Sequence, residues 1–181
     1  RFREYIGAVD KRVTESSPGT FTFELLDSIG HLSLIARSDS VTVHRVRWQV
    51  LDGVTAEGLL LMPAVFNGVG IVALPDADWT PEEFVGLNGD LPESARLPWR
   101  LACEGCAVAV PTLISRSDEY SGSPYVAYTN QTHREFIYRQ AFEMGRHVVG
   151  YEVQKTLAAI DLLGQIASRA KLKPKFGVVG I

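Results

Sequence analysis

Residues 41–74 read VTVHRVRWQVLDGVTAEGLLLMPAVFNGVGIVAL, and two kinds of strand pattern meet inside this stretch. From Val41 apolar and polar side chains alternate: Val41 and Val43, then Val46, Trp48 and Val50. The phase slips near His44-Arg45, which predicts a strand with a bulge. Asp52-Gly53 is a hairpin signal, because a two-residue turn needs positive φ and these residue types accept it. Thr55 to Met62 then forms the return strand, ending at Pro63. Such a pair is antiparallel, with one side able to face water. Val69 to Leu74 is different. It is a continuous apolar run, as expected of a strand covered on both faces.

The same continuous pattern recurs at Ala107–Val110 and Phe176–Ile181, and helical stretches lie between. Thr80-Pro81-Glu82-Glu83 has a capping threonine, a proline in the first turn and a glutamate three residues on, which together start a helix. Pro92 to Glu104 reads as a helix closed by Gly105, with Pro98 predicting a kink or a late start. Thr132-His133-Arg134-Glu135 is a second capping box. Ile137, Ala141, Met144 and Val148, then Val149, Val153, Leu157 and Ile160, continue at helical spacing, and Gly150 is expected to divide them into two helices. A hairpin followed by strand–helix–strand–helix–strand implies parallel pairing through right-handed crossovers. The expected fold class is therefore α/β: an antiparallel N-terminal hairpin followed by parallel strands with crossover helices.

Residues 1–40 form a lead-in segment and residues 41–181 the main domain. In the lead-in, Phe2, Tyr5, Ile6 and Val9 have helical spacing, and Phe21, Phe23 and Leu25 alternate as a short strand. This segment is expected to pack against the main sheet or to belong partly to a preceding domain.

The bulk chemistry narrows the function classes. Hydrophobic residues make up 46% of the 181 and charged residues 22%, which is enough for a buried core and too apolar for disorder. The net charge of −3 argues against nucleic acid as a partner, since phosphate binding needs a clustered basic surface. The basic run Lys171 to Lys175 reads as a solvated helix-to-strand connection. No apolar run reaches the ~18 residues that span a bilayer. The chain starts at Arg1, so a signal peptide lost with a missing start would leave a secreted or periplasmic location open. Cys103 and Cys106 form a C-x-x-C that closes a helix and precedes a strand. A helix N-terminus lowers a thiol pKa; this is the other end, and ordinary buried cysteines are expected.

Three segments resemble the α/β-hydrolase superfamily, in its acetyl-xylan-esterase and dienelactone-hydrolase-like branch. Ile71-Val-Ala-Leu-Pro75-Asp76-Ala77-Asp78 looks like the family's third strand and oxyanion loop. Leu101-Ala102-Cys103-Glu104-Gly105-Cys106, running into Ala107–Pro111, looks like its turn into the fourth strand. Tyr151–Leu163 with Lys175–Ile181 looks like the helix and fifth strand that lead into G-x-S-x-G. The resemblance covers roughly residues 41–181. It implies a serine hydrolase or esterase acting on a small-molecule ester, carbohydrate esters included, with no cofactor. Gly180 and Ile181 are then the lead-in to the nucleophile elbow, and the nucleophile is expected just after Ile181. Acid and base come after the serine in this family, so no catalytic residue is expected within the chain, which reads as a fragment inactive on its own.

Several residues are candidates for a site. Asp76, Ala77 and Asp78 are oxyanion-loop candidates, or else a plain strand-to-helix loop whose carboxylates cap the next helix. A hard-oxygen metal site of Asp76, Asp78 and Glu82 lacks further ligands, so no metal is expected. Arg116 is expected to tie loops together. Tyr120, Tyr125 and Tyr128, in a polar–aromatic loop at the C-terminal edge of the sheet, line a pocket or pack the loop. His31, His44, His133 and His147 read as structural or surface histidines, with His147 able to pair with Glu143. Two alternatives remain open: a non-catalytic hydrolase-like binding or structural module, and a nucleotide-binding fold beginning near Phe176, whose Phe-Gly-Val-Val-Gly-Ile also fits a strand entering a glycine-rich turn. If the sheet stops at Phe176–Ile181, that apolar edge is a site for self-association.

Overall fold

The computed structural model describes residues 1–17, 19, 21–30, 32–119 and 122–180. Among them one mixed sheet is built on the hairpin β3 (Val41–Leu51) and β4 (Val54–Pro63), which run antiparallel. Gly53 turns it at φ 69°, a conformation that costs glycine nothing. β4 pairs antiparallel with β6 (Ala107–Pro111), β6 parallel with β5 (Val69–Leu74), and β5 parallel with β7 (Lys175–Gly180). The three continuous apolar runs are thus mutually parallel strands. Ahead of the hairpin, the short strands β1 (Phe23–Leu25) and β2 (Leu34–Arg37) both pair antiparallel with β3, end to end along its outer edge.

The phase slip in β3 is not a bulge. Its register with β4 runs unbroken from Val41↔Pro63 to Gln49↔Thr55, and the irregularity comes later, between Gln49 and Leu51. What changes at His44-Arg45 is the buried face. Val41 and Val43 join one core with Leu59, Leu61, Ala73, Phe84, Val85 and Ala102. Val46, Trp48 and Val50 join another with Leu60, Val72, Ala158, Ala159, Leu162 and Leu163. Side chains alternate across a strand, and Leu59 and Leu61 of one core flank Leu60 of the other, so the two cores lie on opposite faces and a strand covered on opposite faces at its two ends must switch apolar parity midway.

The first core is closed by α3 (Pro81–Val85) and α4 (Leu97–Cys103). In α3 the Thr80 hydroxyl accepts from the Glu83 amide and the Glu83 carboxylate accepts from the Thr80 amide, as its capping box requires. α4 starts late, with Pro98 in its first turn and a separate 3₁₀ turn at Glu93–Ala95 before it. The second core is closed by α6 (Val148–Arg169), which packs on β3, β5 and β6.

Gly150 does not divide the last helical stretch. α5 (His133–Glu143) ends before Gly145, which has φ 68°, and α6 starts with His147 as its cap. Gly150 lies inside α6 for a packing reason: a Cβ there would sit 2.5 Å from the backbone of Ile6 and Gly7. Only glycine lets the lead-in chain approach α6 this closely. The lead-in is further tied to α6 by Arg12 and Thr14 on Asp161, at 3.3 and 2.8 Å. Its helical spacing over Phe2–Val9 yields only α1 (Phe2–Tyr5), followed by the short α2 (Val13–Ser16). Phe2, Tyr5 and Val9 remain exposed, so apolar spacing without a surface to cover did not extend the helix. No helix among the described residues is long and apolar enough to cross a membrane.

Candidate functional site

The C-terminal ends of β5 and β7 lie side by side, with Leu74 opposite Gly180 as the last ladder pair. The chain leaving β5 through Pro75 therefore emerges next to the chain leaving β7. In the Asp76–Asp78 turn, the Asp76 carboxylate accepts from the Asp78 amide at 2.9 Å and its carbonyl accepts from the Trp79 amide at 3.0 Å. These are the bonds of a side-chain-closed turn leading to the Thr80 cap. The Ala77 amide has no acceptor among the described residues.

Arg116, on the loop after β6, reaches this turn. Its Nη1 donates to Asp76 at 2.8 Å and to Asp78 at 3.0 Å. The Asp78 amide, and after it Arg116, hold the Asp76 carboxyl below the usual carboxylate range. All three side chains are substantially exposed, so the bridge orders the loops more than it stabilises the fold.

A second, less exposed clamp holds the other side of the 112–119 loop, and the sequence carried no readable sign of it. Arg134 donates twice to Glu152, at 2.6 and 2.8 Å, and once to the Ile114 carbonyl at 3.2 Å. Glu152 also accepts from the Ile114 amide at 3.3 Å. Lys155, one helical turn beyond Glu152, donates to the Thr112 carbonyl at 2.6 Å. Arg134 and Glu152 are 18 positions apart on different helices, so no i,i+4 rule marks the pair.

Several expected residues lie elsewhere. Tyr125 and Tyr128 are 93% and 61% exposed, so neither is buried within its loop. Tyr120, His31 and Ile181 lie outside the described residues. His147 does not pair with Glu143: its Nδ1 accepts from the Val149 amide, capping α6, and its ring meets the Tyr138 edge at 4.9 Å. His44 is half-buried beside Leu60 in the ladder. Cys106 is buried as expected, whereas Cys103 is exposed because it falls on the outer side of the last turn of α4. In the second capping box only half forms. The Thr132 hydroxyl caps the Glu135 amide, while the Glu135 carboxylate pairs with Arg139 instead.

The fold is similar to that of a solved esterase. A chain from Bacteroides fragilis assigned as an acetyl xylan esterase aligns with 99% of this chain at a TM-score of 0.62 and 14% identity. The chain carries a partial α/β-hydrolase-type fold. A glucuronoyl esterase from Solibacter usitatus aligns over 99% of the chain with a TM-score of 0.48 and 14% identity. This chain spans 45% and 50% of the lengths of those two proteins. No protein-family model and no curated protein matches the sequence.

Proposed function

We propose that this chain supplies the scaffold and the oxyanion-loop side of a serine-hydrolase-type esterase for small esters, carbohydrate esters among them. The observation that carries the reading is the Leu74↔Gly180 register, which puts the Asp76–Asp78 turn beside the exit of β7. A nucleophile directly after Ile181 would stand next to the unpaired Ala77 amide, a donor of the type that stabilises an oxyanion. Gly180 supports the same assignment. A Cβ there would meet only Leu74, at an ordinary 3.7 Å, so β7 itself does not demand glycine, while a crowded elbow would. The two carboxylates near an oxyanion site are offset in part by Arg116. The acetyl xylan esterase likeness makes a carbohydrate acetyl ester the first substrate to try.

The rival reading, a non-catalytic module, is favoured by those same carboxylates, since one guanidinium leaves one negative charge over. The test is the gene product carrying the sequence beyond Ile181, assayed with p-nitrophenyl acetate. A serine is expected at the next position, and its change to alanine should cost roughly 10³-fold or more in kcat/KM. A residue other than Ser, Cys or Asp there, or turnover indifferent to its replacement, would refute the esterase.

A further inference from the structure

A cavity of about 590 Å³ opens between the tip of the β3–β4 hairpin, the start of α6 and the segment around Asp10 and Ser16. It shares no lining residue with the Asp76–Asp78 turn or with Gly180. Its size falls in the range that holds small organic ligands. Val50, Leu51, Val54 and Ile114 give it an apolar wall, and Tyr151 and Lys155 project from one face of α6 at helical spacing.

The polar side of this cavity is short of acceptors. Lys155 carries three donors, and among the described residues only one of them is used, on the Thr112 carbonyl. The Tyr151 hydroxyl has no hydrogen-bond partner among the described residues. Of the two carboxylates at the rim, Asp10 is held by two nitrogens of the Arg146 guanidinium, at 2.6 and 2.7 Å, and Asp52 sits at the exposed hairpin turn. Neither bonds Lys155. Burial pushes the Lys155 ammonium below the usual lysine range, with Glu152 opposing and Arg134 adding to the effect. A cation in this condition gains from an anion that brings its own charge to it.

We propose that this cavity binds a small organic monocarboxylate with an apolar body, its carboxylate accepting from Lys155 and Tyr151 and its body lying against Val50, Leu51, Val54 and Ile114. Of the two lysines on the lining, Lys11 is exposed to solvent, while Lys155 is half-buried with donors to spare, so a single negative charge matches Lys155. A neutral apolar molecule would cover the two remaining Lys155 donors without supplying an acceptor.

The probes are octanoate, kept below its micelle limit, and 1-octanol, kept below its aqueous solubility, titrated calorimetrically into the 181-residue protein. Octanoate is expected to bind at one site about tenfold or more tighter than octanol. Lys155→Met keeps the stem and removes the charge, so octanoate should fall to the level of octanol while octanol is unchanged. Lys155→Arg should keep most of the preference. If the methionine variant fails to fold, the Lys155 ε-methylene resonance followed during titration of unmutated protein decides: it should shift on saturation with octanoate and far less with octanol. No octanoate binding at millimolar concentration, equal binding of the two probes, undiminished octanoate binding by Lys155→Met, or an unmoved Lys155 resonance at saturation would each overturn the site.

Discussion

His44 shows how much of a residue's role depends on what surrounds it. The sequence offered a histidine at a phase slip. The fold places it half-buried on β3 with its Nδ1 lacking a partner among the described residues. Burial lowers its pKa by excluding water from the imidazolium; Asp27 opposes this and Arg37 reinforces it. The sign comes from linkage. The unfolded chain takes up this proton near pH ~6.5, and the folded chain only at lower pH. Stability from a neutral His44 is therefore full above that value. It is lost as the pH falls from there towards the folded pKa. Asp10, Glu15, Asp76 and Glu83 have lowered pKa values, so their contribution is lost in the separate, more acidic carboxylate range. Urea denaturation at pH 7 and pH 5 should show His44→Leu losing less stability over that interval than the unmutated chain. An equal loss in both proteins would show that His44 is not the titrating group. Gly150 makes the complementary point. Its letter suggested a helix end, and its role comes from contact with Ile6 and Gly7, more than 140 residues away in sequence and invisible to any local rule.

At the scale of elements, the readable parts were those fixed by local chemistry. The Thr80 cap, the Asp52-Gly53 turn, the late start at Pro98 and the parity of each strand all depend on near neighbours in sequence. The bulge inference failed because parity reports the buried face and not the hydrogen-bond register: β3 changes face where its register with β4 is unbroken, and the irregularity opposite His44 lies on β2. The clamp on the 112–119 loop was unreadable because it joins two helices and a loop through tertiary geometry. Its side chains are 24% and 15% exposed, between the surface and buried regimes. Arg134→Met should therefore cost about 1–3 kcal/mol, more than a surface pair and less than a fully buried one. Arg139→Ala, which removes an exposed i,i+4 pair with Glu135, should cost ~0.5 kcal/mol or less. Hydrogen exchange adds a local readout. The Ile114 amide, bonded to Glu152, should exchange faster in Glu152→Ala, while amides of β3 keep their protection. Equal costs for the two arginine changes would mean that the bidentate pair does not hold the loop.

At the scale of the molecule, the strand directions were legible in the sequence because the apolar pattern shifts from alternating to continuous, but the condition of the last strand is set by what lies beside it. Among the described residues β7 pairs only with β5, and its other edge carries no strand. Phe176 and Val178 are 45% and 54% exposed, in a strand whose pattern is that of one covered on both faces. Native edge strands are usually guarded by charge, proline or a bulge. Here Lys175 is the single charge, at the strand's start, and Phe176 to Gly180 have none. An open ladder beside exposed apolar side chains favours pairing with another such edge, and the closest available one belongs to a second copy of this chain. The 181-residue protein should accordingly elute earlier in size-exclusion chromatography as its concentration rises, with a melting temperature that changes with concentration. Val178→Lys adds a charge midway along the edge without touching either core, and it should shift the protein to monomer. A sharp monomer peak and a concentration-independent cooperative melt in the unmutated chain would show that the β7 edge does not drive association.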